Sequence, residues 1–304
     1  MRLLAASLRT GVIVARSGPV ESSRSGSRSG RFDKGLIMTG PRFVIFCSYG
    51  NDSVAMIQWA KEQQLSGVHV VYTDTGWAAE FWKERVDRME EWVKSIGFTP
   101  HRTKSVGFRQ LAHDKKGFPT QRYQWCSYIL KIEPGARWLE ENDPNKMAVC
   151  LVGVRREESQ DRAEFPRFML NSPSHGHRVM VAPMADWTEE VRNEFIRRAG
   201  VEPLPHRSME CAPCINSNKR DLASLAEQDV EKAIALENEI NEAYGLTRNG
   251  KMRTMFRPHR HMGAVGVEEV IKWAHTKKGK YQADHNELDF DDGAAGCEAG
   301  WCGV

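Results

Sequence analysis

The chain has 304 residues, 40% of them hydrophobic and 27% charged. That is enough for one large or two small domains with a true core and too apolar for a wholly disordered chain. Forty-three Lys and Arg against 40 Asp and Glu leave a formal charge of +3, which permits an anionic partner without requiring one. No run approaches the roughly 18 apolar residues of a membrane span, so the chain reads as soluble, with no membrane partner. Its seven cysteines lack the density of a secreted disulfide scaffold. They point to a reducing, cytoplasmic setting in which thiols serve metal or redox chemistry.

Residues 1–40 carry a Ser/Gly/Arg tract without apolar periodicity and read as a disordered extension or one translated from a start upstream of Met38. Organelle targeting by residues 1–37 is the less favoured reading. From Arg42 the pattern changes. RFVIFC to Cys47 predicts a strand, Asp52–Gln64 a helix, Val68–Asp74 a second strand, and Glu80–Ile96 a helix with Phe81, Val86, Met89 and Val93 on one side. Met147–Gly153 reads as a further strand, and Thr188–Gly200 as a helix with a Thr N-cap, early acids and late arginines. Strands alternating with helices predict an α/β fold with a doubly wound, mainly parallel sheet, whose ligand sits beyond the carboxyl ends of the strands. After Cys214 the chain turns helical, with one long helix expected over Lys219–Tyr244 and another near Gly266–Thr276. The expected organisation is an extension at 1–40, a nucleotide-binding domain at 41–218, and a helical extension with a Cys-containing tail at 219–304.

The first strand ends in Cys47-Ser48-Tyr49-Gly50-Asn51-Asp52-Ser53. A small-residue turn between strand and helix aims backbone N–H groups and the positive helix end at an anion, and Ser48 and Ser53 add hydroxyls. The spacing and lysine of a Walker P-loop are absent. An ordinary strand-to-helix turn with Asp52 as cap is the plain alternative. The segment resembles the SGGxDS-like PP-loop of adenine-nucleotide α-hydrolases, with Tyr49 in the first Gly position.

Three further segments follow in order. Asp74-Thr75-Gly76 closes the second strand, Trp125-Cys126 leads to Lys131 and Pro134, and Gly153-Val154-Arg155-Arg156 leads to Ser159. Paired guanidiniums after a buried strand can fork onto phosphate or sulfate oxygens; solvated pairing with Glu157 and Glu158 is the plain alternative. Together the four segments resemble the phosphoadenylyl-sulfate (PAPS) and adenylyl-sulfate (APS) reductases. The resemblance implies a PP-loop, HUP-like fold and an adenine nucleotide, ATP or APS/PAPS, held near Ser48, Tyr49, Gly50, Asn51, Ser53, Asp74, Thr75, Gly76, Lys131, Arg155 and Arg156.

Cys211-Ala212-Pro213-Cys214 is a C-x2-C turn able to face one metal with two thiolates. It resembles the half-site of the [4Fe–4S] cluster in APS reductases, whose other half is an adjacent Cys pair; only Cys126 stands there in this chain. The resemblance implies a [4Fe–4S] cluster on Cys126, Cys211 and Cys214 with one iron left open, as in PP-loop enzymes that insert sulfur. Zinc completed by His206 is the competing site. Cys47 and Cys150, in apolar strands, read as inert core residues.

The tail carries Cys297 and Cys302 in a Gly-rich context. The reductases use a tail Cys as nucleophile on the sulfate sulfur and thioredoxin to release the adduct, which implies a catalytic role for Cys297 or Cys302 and a thioredoxin-like or sulfur-donor protein as partner. Two chemistries follow. In one, ATP is cleaved between the α and β phosphates with Mg2+ and Asp52 in attendance, activating an acceptor for sulfur transfer; in the other, APS or PAPS is reduced to sulfite. The first is narrowly preferred, and a non-catalytic nucleotide-binding component is the third reading. Finally, the basic stretch Arg253–Arg260 with Phe256 has the composition of a single-stranded nucleic-acid groove, and equally of a linker.

Overall fold

The computed structural model describes residues 40–158, 160–256 and 266–276. The N-terminal extension to residue 39, Ser159, the basic residues Arg257 and Arg260, and the tail with Cys297 and Cys302 lie outside the described residues.

The first apolar run forms β1 (Phe43–Cys47), buried at every position, as a strand covered on both faces must be. There follow α1 (Asn51–Glu62), β2 (Val68–Asp74), α2 (Glu80–Ser95), β3 (Thr99–Lys104) and α3 (Phe108–Asp114). A helical turn at Trp125–Ser127 widens into a π-helical turn at Tyr128–Ile132 and continues as α4 (Glu133–Asn142). Next come β4 (Val149–Leu151), β5 (Phe168–Ser172), β6 (Arg178–Val181) and α5 (Glu189–Arg198), whose expected cap Thr188 accepts from Val191 N. The C-terminal helices are α6 (Lys219–Ala223), α7 (Glu227–Tyr244) and α8 (Gly266–Ala274).

The sheet runs β3-β2-β1-β4-β6-β5, parallel throughout except for β5, which lies antiparallel on β6. Helices cover both faces. Val54 and Ile57 of α1, Trp82, Val86, Met89 and Val93 of α2, and Ile196 of α5 pack with Ile45, Val70 and Tyr72. On the other face Trp138 and Leu139 of α4 meet Val44, Phe46, Val71 and Cys150. The doubly wound α/β sheet expected from the sequence is therefore present. Strands step outward from β1 to β3, and the chain then returns to the opposite side of β1 at β4. The topological switch point lies between β1 and β4, where such sheets bind ligands.

Two expectations need correction. Phe81 is 43% exposed; the buried stripe of α2 is Trp82, Arg85, Val86, Met89 and Val93, which keeps the helical period while turning Phe81 outward. The single helix expected over Lys219–Tyr244 is two, broken at 224–226. Ser224 Oγ turns back to Asp221 O at 2.8 Å, the local side-chain bond that competes with helix continuation. Both pieces remain on a second core, in which Leu222, Leu236, Ile240, Val267 and Ile271 pack with Trp77, Phe108, Leu111 and Leu130.

Candidate functional site at the switch point

The turn after β1 is held from behind. Trp82 Nε1 donates to Ser48 O at 3.1 Å, and Arg85 Nε donates to Tyr49 O at 2.8 Å. Both α2 side chains draw loop carbonyls backward. Ahead of them the first amides of α1 have no intrahelical partner, and Ser48 and Ser53 bracket the turn: Ser48 N–H donates to Ser53 Oγ at 3.1 Å, and Gly50 N–H to Ser48 Oγ at 3.2 Å. This sets free amides and two hydroxyls together at a helix N-terminus, a chemistry suited to phosphate oxygens. Tyr49 reaches it with φ 57, the left-handed region that glycine adopts freely. Its ring is fully buried, 5.8 Å from that of Tyr72, so what it adds to the turn is its backbone.

Asp52 and Arg155 meet across the switch point. Arg155 Nε donates to Asp52 Oδ1 at 2.7 Å, and its remaining nitrogens pair with Glu157 and Glu158. Both partners are buried. Burial first, and then the charge of Asp52, raise the Glu158 carboxyl above the ordinary range, while the Asp52 charge and hydrogen bond hold Arg155 firmly cationic against its own burial. Arg156 faces elsewhere, gripping Phe165 O and Asp186. Of the two expected guanidiniums, one is at the loop.

A segment distant in sequence closes the front. Asn51 Nδ2 donates to Leu204 O at 2.9 Å and its Oδ1 accepts Leu204 N–H at 2.8 Å, so Asn51 is a clamp for residues 204–213. A Cβ on Gly50 would lie 3.0 Å from Ser208 Cβ; glycine is required there by this close approach. The segment then runs along the β2 turn: Ala79 N–H donates to Met209 O and Ala212 N–H to Trp77 O, Thr75 Oγ1 to Glu210 O at 2.6 Å, and Trp77 Nε1 to Pro213 O. Asp74 shapes that turn by accepting Gly76 N–H at 2.8 Å. Lys131, on the π-helical turn, pairs with buried Glu210 at 2.5 Å.

The segment delivers the cysteine pair. Cys211 and Cys214 are hydrogen-bonded, and that bond, followed by burial, raises the Cys211 thiol well above its ordinary range; Cys126 is close enough for its charge to act on Cys211, and Lys131 opposes it. All three thiols pack against the second core. Among the described residues no three His, Cys, Asp or Glu side chains are placed to hold one metal ion, and His206 turns away, its Nδ1 against Arg207 O and its ring against Phe81. Cys47 and Cys150 are buried core thiols as expected, Cys150 pushed up to about 12 by burial.

Arg253 of the basic stretch is spent on the carbonyls of Gly245, Lys116 and Leu246, and Phe256 is buried in the second core. Among the described residues no helix is long and apolar enough to cross a membrane. Sequence reasoning missed Arg85, Trp82 and Ser208: the first two look like ordinary positions on an amphipathic helix, and the third meets the loop only through the fold.

A mainly parallel α/β sheet with a strand-to-helix loop of this kind at its switch point is a doubly wound, nucleotide-type architecture. Residues 42–211 match the phosphoadenosine phosphosulfate reductase domain family, and the chain belongs to that family. It is 27% identical over 180 residues to an adenosine 5'-phosphosulfate reductase of Streptomyces coelicolor, covering 56% of this chain and 70% of that protein. It is 31% identical over 132 residues to an uncharacterized Methanocaldococcus jannaschii protein, covering 43% of this chain. It is also 26% identical over 202 residues to an uncharacterized protein of Escherichia phage 186, covering 58% of each. The chain spans about a quarter (26%) of the length of the Methanocaldococcus protein. Among solved structures, the Candida auris phosphoadenylyl-sulfate reductase in its phosphate complex is 16% identical with a TM-score of 0.38, over 55% of this chain and 77% of that one.

Proposed function

We propose that the chain is an adenine-nucleotide enzyme of sulfur metabolism that cleaves ATP between the α and β phosphates and so activates an acceptor for sulfur transfer. The observation that carries the reading is the amide-rich turn at the switch point with the Asp52–Arg155 pair at its edge. In this reading the loop amides and the Ser48 and Ser53 hydroxyls hold the departing pyrophosphate, where charge builds as the α–β bond breaks. Asp52 is the carboxylate suited to a Mg2+ ion, which would neutralise phosphate charge when bound. Arg155 fixes the Asp52 carboxylate, and Lys131 pairs with Glu210 and acts on the Cys211 thiol. Cys126, Cys211 and Cys214 would hold a [4Fe–4S] cluster, whose thiolates sit on different irons rather than converging on one ion. Such a cluster would supply an iron able to carry sulfur.

A second reading, reduction of APS or PAPS to sulfite with Cys297 or Cys302 as nucleophile and a thioredoxin-like reductant, draws support from the likeness to the Streptomyces reductase over 70% of its length. One anaerobic preparation separates the two. Incubated with ATP it is expected to release pyrophosphate, and release that survives both Asp52→Ala and Ser53→Ala removes the first reading. Incubated with APS or PAPS and a dithiol, it yields sulfite under the second reading, and sulfite unaffected by a Cys297→Ala, Cys302→Ala double substitution removes the tail-nucleophile mechanism. Tight binding without turnover of either substrate favours a non-catalytic component. Iron, sulfide and zinc analysis of the wild type and Cys126→Ala tests the cluster, with roughly four irons expected in the wild type.

A further inference from the structure

Cations near the phosphate loop have acids beside them, with one exception. Arg155 has Asp52, Glu157 and Glu158, Lys131 has Glu210, and Arg192 has Glu189 at 2.8 Å. Arg85 is 6% exposed, and among the described residues no carboxylate lies within ion-pair reach of it. Its guanidinium lies 5.3 Å from the centroid of the Trp82 ring, its Nε holds Tyr49 O, and its Nη2 is buried without a hydrogen-bond partner. Burial, then repulsion from Arg88, pull its pKa down to about 10, still leaving it charged at neutral pH. A buried charge without a counter-charge is costly, and a bound anion on the far side of the loop offsets that cost through space without touching the guanidinium. Ser208 Oγ, buried and also without a partner, lies beside Gly50.

We propose that Arg85 is a positioning residue for the phosphate loop, and that its counter-charge is the phosphate or pyrophosphate group of the bound nucleotide. The proposal rests on the adenine-nucleotide reading above. Arg85 holds the Tyr49 carbonyl through its Nε, which turns that oxygen toward α2, and it places a full positive charge behind the loop in a medium of low dielectric. A Walker lysine brings its charge to the phosphate from the front; here the charge stands in the wall.

The test titrates the full chain with inorganic pyrophosphate by calorimetry and follows its ligand-free melting midpoint, for wild type, Arg85→Gln, Arg85→Met and Arg85→Lys. Gln keeps a donor for Tyr49 O and removes the charge. The expected result is roughly tenfold weaker pyrophosphate binding in the Gln and Met variants, partial recovery in Lys, and a ligand-free midpoint for Met at or above that of the wild type because an unpaired buried charge has gone. Unchanged affinity in Arg85→Gln, or equal affinities in Gln and Lys, overturns the proposal and leaves the nucleotide reading standing. If Arg85→Met does not fold, the Gln and Lys pair decides. A wild type that binds neither pyrophosphate nor ATP overturns the nucleotide reading, and this proposal with it.

Discussion

At Tyr49 a single side chain reconciles two opposed demands. The turn needs a left-handed residue, which costs a non-glycine residue about 1–2 kcal/mol, while the space behind it is filled by a fully buried aromatic ring. Removing such a ring costs about 3–5 kcal/mol. We predict that Tyr49→Gly, although it restores the more usual loop residue, lowers stability by about 2–3 kcal/mol in urea denaturation; a stabilised variant would disprove the packing argument. His175 gives a second prediction at this scale. It is almost wholly buried, Nδ1 meets Ser172 Oγ at 2.9 Å, and burial, then Arg178, lower its pKa from 6.5 to about 4. Between those values the unfolded chain binds the proton and the folded chain does not, so stability falls as pH falls from 6.5 toward 4. The loss is on the order of 3 kcal/mol when the window is crossed. His69 and His101, hydrogen-bonded at 2.8 Å and both lowered chiefly by burial, act in the same direction. Melting curves across this range should show a smaller acid loss in His175→Gln than in the wild type.

Among the elements, α7 and α8 are joined by one carboxylate. Glu237 accepts Met255 N–H at 2.8 Å and Val267 N–H at 2.7 Å, serving the N-terminus of α8 as a cap would. Gly266 has φ +87, and a Cβ there would lie 2.8 Å from Glu237 Oε2. Gly266→Ala is therefore expected to destabilise by at least about 1 kcal/mol, combining left-handed strain with a displaced cap, and thermal melting against Glu237→Gln checks whether the two share one cause. The same scale explains what could be read in advance. β1 and β2 announce themselves as short apolar runs buried along their length, and α2 by a stripe at helical spacing, whereas α1 is buried from Asn51 through Ala60. The edge strand β3, Thr-Pro-His-Arg-Thr-Lys, has no fully buried position and so carries no apolar alternation. β5 is antiparallel and largely exposed. The break before α7 comes where Ala226 turns extended, at φ −69 and ψ 151, with no Gly or Pro to announce it. The loop itself was legible because its residues are contiguous, whereas its supports at Trp82, Arg85, Leu204 and Ser208 are tertiary contacts that no local spacing encodes.

Across the whole molecule, residues 204–213 join the phosphate loop, the β2 turn and the cysteine pair through a continuous run of hydrogen bonds. Three of those bonds carry amide protons across the seam: Leu204 N–H to Asn51 Oδ1, Ala79 N–H to Met209 O and Ala212 N–H to Trp77 O. If the seam opens as one unit, these protons share one opening free energy, whatever their intrinsic exchange rates. We predict such a shared opening free energy in native-state hydrogen exchange once each amide is corrected for its intrinsic rate, raised together by pyrophosphate; three different opening free energies would show that the seam frays piecemeal. A common opening has a kinetic meaning under the adenine-nucleotide reading. The opening that frees a bound anion would also loosen the cover over Cys211, so the lifetime of the closed seam would set both how long a phosphate product is retained and how often the thiols meet an oxidant or an electrophile.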